Sequence, residues 1–254
     1  MSKRKRNVLQ SIAINISILL LVCTGLYYFY KRINYAANVY YPNFGIRIPD
    51  NYSIHGIDVS RYQKNISWKA VKKMKSNNIT IGFAFMKATE GTDRIDRHFN
   101  KNWFNIKQAG ITRGAYHFFN AHSSGKAQAE NFIEIVKLAP GDLPPVLDIE
   151  NTDGVSRNEL QIRIREWLTI VEQHYKVKPI IYTCANFYAD NLSGTFDEYP
   201  LWVAHYVNSN KPRINRNWHF WQHNETGRVN GINAPVDFNV FNGDSAAFKN
   251  LLMN

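Results

Sequence analysis

The chain has 254 residues, 44% of them hydrophobic and 14% aromatic, which is enough apolar material for the core of one large domain or two small ones. Six of its 31 basic residues and no acidic residue lie in residues 1–32, so residues 33–254 carry 25 basic against 20 acidic side chains. This modest basic excess suits an anionic polymer but falls short of the concentrated basic face of a nucleic-acid-binding protein, so nucleic acid is not predicted as a partner.

The N-terminus combines a basic tail with an apolar segment. Basic residues at 3–6 precede an uncharged run, residues 8–30, that is long enough to span a hydrocarbon core of about 30 Å as a helix. Aromatic residues at 27–30 and the following Lys31 and Arg32 are typical of a membrane interface. A cleaved signal peptide is the alternative, but the apolar run is longer than the roughly 7–15 residues of such a segment.

The charge distribution predicts a single-pass membrane protein. Because more positive charge precedes the span than follows it, we expect a cytoplasmic N-terminus and the bulk of the chain on the outer side, periplasmic or extracellular. Residues 1–32 are thus predicted to be a basic tail and signal anchor, and residues 33–52, which contain Asn, Tyr and Pro without clear periodicity, a linker. Residues 53–254 are predicted to form one folded domain.

Within this domain, strand-like runs alternate with amphipathic helical runs. The predicted strands are residues 55–60, 79–89, 114–119, 146–150 and 179–183, and the predicted helices are residues 68–77, 96–109, 124–138 and 156–175. Three further strands, residues 201–206, 219–223 and 236–241, have little helix between them. The alternation predicts an α/β fold with a parallel sheet, and no Gly-rich phosphate loop follows the first strand. We therefore predict a modified, TIM-like β/α barrel with fewer helices than strands, preceded by one transmembrane helix.

The strand at residues 146–150 carries two acidic residues, Asp148 and Glu150. Because side chains alternate along a strand, both carboxyl groups point to the same face. Two neighbouring carboxylates cannot both ionise freely, so one should have a raised pKa, as a general acid requires. A solvated acidic turn is the alternative for this stretch considered alone.

The ends of the other predicted strands favour an active site over an acidic turn. In β/α barrels, functional residues lie at the C-terminal ends of the strands. Polar residues occur at or near these ends throughout the domain: Asp58, Lys87, Glu90, Tyr116, His117, Asp148, Glu150, Tyr182, His205, Tyr206, Gln222 and Asp237.

Seven ordered motifs occur between residues 54 and 243. They are GIDVS at 56–60, FMKATEG at 85–91, GAYHF at 114–118, LDIE at 147–150, WVAHY at 202–206, WQ at 221–222 and VDFN at 236–239. With them the domain resembles glycoside hydrolase family 25, the Chalaropsis-type lysozymes or N-acetylmuramidases. The resemblance implies a modified β/α barrel that hydrolyses the β-1,4 bond between N-acetylmuramic acid and N-acetylglucosamine in peptidoglycan. It also implies that Glu150 is the general acid and that Asp148, Asp58 and Asp237 complete the site.

Glycoside hydrolysis also needs a group that meets the positive charge of the oxocarbenium-like transition state. Either Asp148 or another aspartate is the nucleophile or base, or Asp148 orients the substrate's own 2-acetamido group for attack. We expect crowding by the three aspartates to keep the proton on Glu150.

The predicted substrate contacts are aromatic side chains that can stack on sugars, with one cation and one amide. They are Tyr62, Tyr116, Tyr182, Trp202, Tyr206, Lys87 and Gln222, and core packing is the alternative for each aromatic residue. For Trp221 the two interpretations are equally supported. His117 and His205 lack the spacing of metal ligands, so no metal or cofactor is predicted.

Peptidoglycan glycan strands are the predicted partner, and no protein partner is indicated, which favours a monomer. Two other functions stay open. A catalytically inactive peptidoglycan-binding protein would not need the full carboxylate set. A barrel glycosidase for chitin-like glycans is less favoured, because no longer run of alternating aspartates precedes Asp148.

Overall fold

A computed structural model describes residues 3–36, 38–206 and 210–254, and the side chains of residues 3–11, 13 and 31–36 lie outside the described part. The chain begins with α1 (Lys3–Ala36), β1 (Asn38–Tyr41) and β2 (Ile46–Pro49). The domain then runs β3 (His55–Val59), α2 (Trp68–Lys73), β4 (Lys75–Ser76), β5 (Ile79–Glu90), β6 (Arg94–Ile95), α3 (Phe99–Gln108), β7 (Thr112–Phe118), α4 (Gly125–Ile135), β8 (Val146–Asp148), α5 (Arg157–Tyr175), β9 (Ile180–Cys184), α6 (Ala185–Phe187), β10 (Leu201–Ala204), β11 (Phe220–Gly227), β12 (Val236–Phe241) and α7 (Ser245–Leu251).

Eight strands close into a barrel in the order β3, β5, β7, β8, β9, β10, β11, β12 and back to β3. All neighbours are parallel except β12, which pairs antiparallel with both β11 and β3. Helices α2 to α5 cover the first strands, whereas the described residues between β10 and β12 contain no helix. The predicted α/β barrel with fewer helices than strands is therefore confirmed.

Aromatic side chains fill the interior of the barrel. Phe85 stacks on Trp202 with ring centroids 4.4 Å apart, and Phe83 packs edge-on against Phe85 at 5.7 Å. The strands admit these rings because Gly56 and Gly114 face them: a Cβ at either glycine would lie 2.4 Å from the ring of Phe83 or Phe85, respectively. Large rings at this level close the lower barrel, so a cavity for substrate can exist only at the C-terminal rim.

Residues 38–49, which lie inside the predicted linker, form a hairpin that belongs to the domain. β1 and β2 pair antiparallel, and Phe44 in the turn between them is fully buried. The Phe44 ring packs 5.2 Å from that of Phe238 on β12, and the Arg228 backbone N–H donates to the Phe44 carbonyl at 2.9 Å. The hairpin covers the outer faces of β11 and β12, where the barrel lacks helices. Alternation of Ile46 and Ile48 is too short to stand out as a periodic pattern in the sequence.

The predicted membrane span at residues 8–30 lies within α1. Large apolar side chains between Ile12 and Tyr30 are exposed, each by about half or more of its surface. Among the residues that the structure describes, no helix is long and apolar enough to cross a membrane. The transmembrane helix is therefore not confirmed, and the side chains of the basic residues at 3–6, 31 and 32, on which the predicted orientation depends, lie outside the described part.

Two histidines are buried on the outer barrel face beneath the hairpin. Burial lowers the pKa of His55 to about 4, and burial together with the nearby His55 lowers the pKa of His223 to about 3. Nε2 of His223 has no hydrogen-bond partner, and its ring lies edge-on to Trp221 at 5.6 Å. The site therefore favours the neutral imidazole.

Replacing His223 should reduce the loss of unfolding free energy that the protein shows at acidic pH. An unfolded histidine takes up its proton near pH 6.5, so His223 costs stability as the pH falls below that value, about 2 kcal/mol at pH 5. Between pH 8 and pH 5, the free energy of unfolding of His223→Leu should fall by about 2 kcal/mol less than that of the unchanged protein. Urea unfolding at both pH values measures the difference. An equal loss in both proteins would contradict a neutral, buried His223; exposed His174→Leu is the control.

Candidate active site

Four carboxyl groups meet at the C-terminal rim of the barrel. Asp58 lies near the end of β3, and Asp237, on the antiparallel strand β12, is directly opposite it in the ladder. Asp148 is the last residue of β8, and Glu150 follows it by two residues. Electrostatic interactions join Asp58, Asp148 and Asp237 to Glu150. The structure thus brings together the four carboxylates predicted from the sequence.

Asp58 and Asp237 form a hydrogen-bonded pair that shares a proton. Asp58 Oδ2 accepts hydrogen bonds from Gln222 Nε2 at 2.8 Å and from Asn239 Nδ2 at 2.7 Å. The Asp58 carboxyl group also forms a hydrogen bond with the carboxyl group of Asp237. Burial raises the pKa of Asp58 to about 6, despite these donors. Burial and the adjacent Asp58 charge raise the pKa of Asp237 to about 9. At neutral pH, Asp58 is the ionised member and Asp237 the protonated one.

Asp148 and Glu150 differ in their environment. Asp148 is buried, and burial together with the Glu150 charge raises its pKa well above the ordinary range, while Lys87 acts in the opposite direction. Its Oδ1 has no hydrogen-bond partner. Glu150 is open to solvent on one side, yet partial desolvation raises its pKa against the lowering effects of a hydrogen bond with Tyr182 and of the Lys87 charge. The direction agrees with the prediction for Glu150, but desolvation rather than crowding by aspartates is the cause.

Gln222 connects the carboxylates to the tyrosines of the rim. Its Oε1 accepts hydrogen bonds from the hydroxyl groups of Tyr182, at 2.7 Å, and Tyr206, while its Nε2 donates to Asp58. These partners fix which end of the amide faces the aspartate. Gln222 therefore holds Asp58 in place, and the contact of Gln222 with a sugar stays a prediction.

A family model described as "Glycosyl hydrolases family 25" matches residues 57–232. The chain belongs to glycoside hydrolase family 25. Lysozyme M1 of Streptomyces globisporus is 38% identical over 220 residues, which are 81% of this chain and 73% of that protein. The uncharacterized protein YegX of Escherichia coli K12 is 50% identical over 201 residues, 79% of this chain and 74% of that one. A family 25 glycosyl hydrolase structure from Bacillus anthracis superposes with a TM-score of 0.73 at 33% identity, covering 80% of this chain and 95% of that one.

The family match begins after the hairpin, so the hairpin and α1 lie outside the region that it covers. Within that region, the chain is a glycoside hydrolase, as the resemblance of its motifs implied. Relatives named as lysozymes support peptidoglycan hydrolysis.

The predicted aromatic contacts fall into two groups in this family 25 barrel. Trp202, Tyr116 and Tyr182 are buried, and the Trp202 indole donates to Asn239 Oδ1 at 2.8 Å, so its ring belongs to the barrel interior. Tyr206 is half-exposed, and Tyr62 is mostly exposed on the 3₁₀ turn Arg61–Gln63 that follows β3. Of the five, Tyr62 and Tyr206 therefore present the most surface to a glycan.

Lys87 serves the electrostatics of the site. Its Nζ lies 2.7 Å from Glu90 Oε2 and 4.4 Å from the centroid of the Phe118 ring. From this fixed position its charge lowers the pKa of both Asp148 and Glu150. Lys87 thus opposes the effect of burial on the two carboxyl groups, a role beyond the predicted contact with polar groups of the sugar.

Of the two histidines at strand ends, His117 makes structural hydrogen bonds through both ring nitrogens. His117 is fully buried, with Nδ1 2.7 Å from Thr89 Oγ1 and Nε2 3.2 Å from Gln128 Oε1. The carbonyl of His205 accepts a hydrogen bond from the indole of Trp221 at 2.9 Å, which places Trp221 in the core. No group of His, Cys, Asp and Glu side chains arranged to hold a metal ion occurs among the described residues.

Asn239 is the functional residue that sequence reasoning missed. Its amide donates to Asp58 and its oxygen accepts from Trp202, so it supports the same carboxylate oxygen as Gln222. The signal was present, since Asn239 ends the motif at 236–239 and lies two residues after Asp237, on the same face of β12.

Proposed function

We propose that this enzyme cleaves the β-1,4 bond between N-acetylmuramic acid and N-acetylglucosamine in peptidoglycan, with Glu150 as general acid. The observation that carries the proposal is the pairing of a solvent-open carboxyl group of raised pKa, Glu150, with the buried Asp148 two residues before it. A general acid must keep its proton near neutral pH and still reach the glycosidic oxygen. Relatives that are named as lysozymes support the choice of substrate.

In the first step, Glu150 transfers its proton to the oxygen of the leaving sugar as the glycosidic bond breaks. The carboxylate that remains is stabilised by the positive charge of Lys87, which favours the ionised form. Ionised Asp58 adds negative potential at the rim where the oxocarbenium-like charge develops. In the second step, water gives a proton back to Glu150 and its oxygen to the sugar.

Asp148 has the features of a residue that orients the substrate's 2-acetamido group. Its Oδ1 is buried without a hydrogen-bond partner, and an acetamido N–H would supply the missing donor. The acetamido oxygen could then attack the anomeric carbon, and water would later open the resulting ring. This route gives a product of retained configuration. Proton NMR of the first anomer formed tests it: an inverted product would contradict acetamido attack and favour Asp148 as a base for water.

The proposed activity is tested by digesting purified peptidoglycan and identifying the new reducing-end sugar by mass spectrometry after borohydride reduction. Reduced muramic acid ends would support a muramidase. Chitin oligomers are the comparison substrate, and cleavage of chitin alone would contradict the proposal. Tight pelleting on peptidoglycan without new reducing ends would favour the peptidoglycan-binding protein instead.

We further propose that residues 8–30 anchor the enzyme in a membrane, with the catalytic domain on the outer side. Support comes from the uncharged apolar sequence of this run and the basic residues on either side of it. Fractionation of cells that produce the full chain should leave it in the membrane after carbonate washing, and protease should reach the barrel only from outside. A soluble product that begins after residue 30 would show cleavage of a signal peptide instead.

The protonated Asp237 of the Asp58–Asp237 pair should lower the stability of the folded protein at alkaline pH. Because the pKa of Asp237 in the folded protein is raised to about 9, this carboxyl group costs stability as the pH rises above its unfolded value of about 3.9. Asp237→Asn should therefore raise the melting temperature at pH 8 by about 5 °C or more and much less at pH 4, measured by calorimetry. Exposed Asp93→Asn is the matched control. An equal gain at both pH values would contradict a retained proton.

A further inference from the structure

A cleft of about 280 Å³ lies between the hairpin and the rim of the barrel. Asn38, Tyr40, Gly45, Ile46, Arg47 and Pro49 of the hairpin segment form one side, and Tyr206, Trp221, His223, Asn224 and Thr226 form the other. Small-molecule sites have volumes upward of about 300 Å³, so this cleft is close to the smallest of them. The hairpin therefore adds a wall to the enzyme that the barrel alone does not have.

The side chains that face this cleft suit a sugar. Tyr40 and Tyr206, one on each side, are each about half exposed and can present a ring face to the C–H face of a pyranose. The Thr226 hydroxyl donates to Asn224 Oδ1 at 3.1 Å, which leaves Asn224 Nδ2 to donate to a sugar hydroxyl and Thr226 Oγ1 to accept from one. The Arg47 guanidinium is positioned by a hydrogen bond from its Nη1 to the Asn38 carbonyl at 2.9 Å. Polar planar groups beside exposed tyrosines are the composition expected of a carbohydrate site.

Tyr206 links the cleft to the hydrogen-bond network of the active site. The ring of Tyr206 lines the cleft, and its hydroxyl group donates to Gln222, which in turn donates to Asp58. Asn224 and Thr226 follow Gln222 on the same strand, β11, toward its C-terminal end. A glycan strand that crosses the four carboxylates therefore meets the cleft on the side of β11.

We propose that this cleft is an additional subsite, which binds a sugar of the glycan strand beyond the two that flank the cleaved bond. The inference rests on the proposed function for its substrate class and adds a specificity determinant to it. Half of the subsite comes from the hairpin, which precedes the region matched by the family. Preference for longer glycan strands is thus a property of the hairpin-bearing chain.

The test compares Tyr40→Ala with Val39→Ala in the full chain. Val39 is its neighbour on β1 and does not line the cleft, and both side chains are partly exposed. Substrates are peptide-free glycan strands of increasing, defined length. Tyr40→Ala and Arg47→Gln should lower kcat/KM on long strands by about tenfold, through KM, and leave the shortest cleaved fragment unaffected. Val39→Ala should match the unchanged protein at every length.

A binding measurement separates the subsite from the reaction. In full chains that also carry Glu150→Gln, the affinity for long strands should fall about tenfold with Tyr40→Ala, so the subsite is tested even if the proposed activity fails. Equal losses on short and long strands, or no loss, would overturn the subsite. A loss seen only on strands that retain their stem peptides would overturn it too, because the cleft would then bind peptide. An enzyme that cleaves no glycan would contradict the proposed function alone.

Discussion

Glu150→Gln should lower kcat on peptidoglycan by about 10³-fold while leaving binding to the polymer nearly unchanged. General acid catalysis typically contributes about 10²- to 10⁴-fold, and the amide has the size of the carboxyl group but no proton to give. The amide can still take part in a hydrogen bond with Tyr182, so the geometry around it should persist. Release of reducing ends under single-turnover conditions and pelleting with insoluble peptidoglycan measure the two quantities.

The matched control for this variant is Glu130→Gln. Glu130 is an exposed residue of helix α4 that pairs with Lys126. It makes the same chemical change and should retain full activity. A second comparison is the pH profile: because the raised pKa of Glu150 sets the loss of its proton, activity should fall as the pH rises through that value. Residual activity in Glu150→Gln within a factor of ten of the unchanged enzyme would assign the proton to another group.

The barrel was predictable because each of its first four strands is followed by a helix in the sequence. Pro144 and Pro145 cannot donate to a strand ladder and so fit only the entry of a strand, and β8 begins at Val146, directly after them. The predicted strand at 236–241 has the observed bounds of β12. What periodicity could not give was the direction of β12, which runs antiparallel to both neighbours, because strand direction in this part depends on connections that contain no helix.

The active site was predictable in its carboxylates but less so in their supports. Asp58, Asp148 and Glu150 follow from strand ends and alternation, which are properties of the local sequence. Asp237 lies at the start of β12 instead, and it reaches the rim because that strand runs antiparallel to its neighbours. The hydrogen bonds that Gln222 and Asn239 give to Asp58 join residues more than 160 positions apart. Only closure of the barrel brings these side chains together. The cause of the raised pKa of Glu150 likewise depends on burial, which a single strand does not determine.

The hairpin was missed because its stability comes from contacts outside itself. A two-stranded hairpin of this length is marginal alone, and its four-residue strands leave no clear pattern. Phe44 and Ile48 are nevertheless fully buried, against a barrel face that has no helix to cover it. The domain of this enzyme thus begins at residue 38 in structural terms, although the predicted bounds placed its start at residue 53.

Removal of the hairpin should therefore destabilise the enzyme far more than removal of α1. We expect a protein that lacks residues 1–36 to fold and to keep its activity. One that lacks residues 1–52 should lose more than about 4 kcal/mol of unfolding free energy, because Tyr41, Phe44, Ile46 and Ile48 are buried and each such side chain contributes about 1.5–3 kcal/mol. Urea unfolding of the two proteins under the same conditions measures the difference.

A point variant separates the packing of the hairpin from the mere length of the chain. Phe44→Ala, made in the protein that lacks residues 1–36, should cost about 3–5 kcal/mol, since its ring is fully buried against Phe238. Val39→Ala, on the partly exposed face of β1, should cost less than about 0.5 kcal/mol. A small loss for Phe44→Ala would mean that the hairpin rests on the barrel without supporting it. A large loss of unfolding free energy would mean that the hairpin, which follows the proposed anchor, also completes the fold. Proteolysis between residues 38 and 52 should then inactivate the enzyme as well as release it from the membrane.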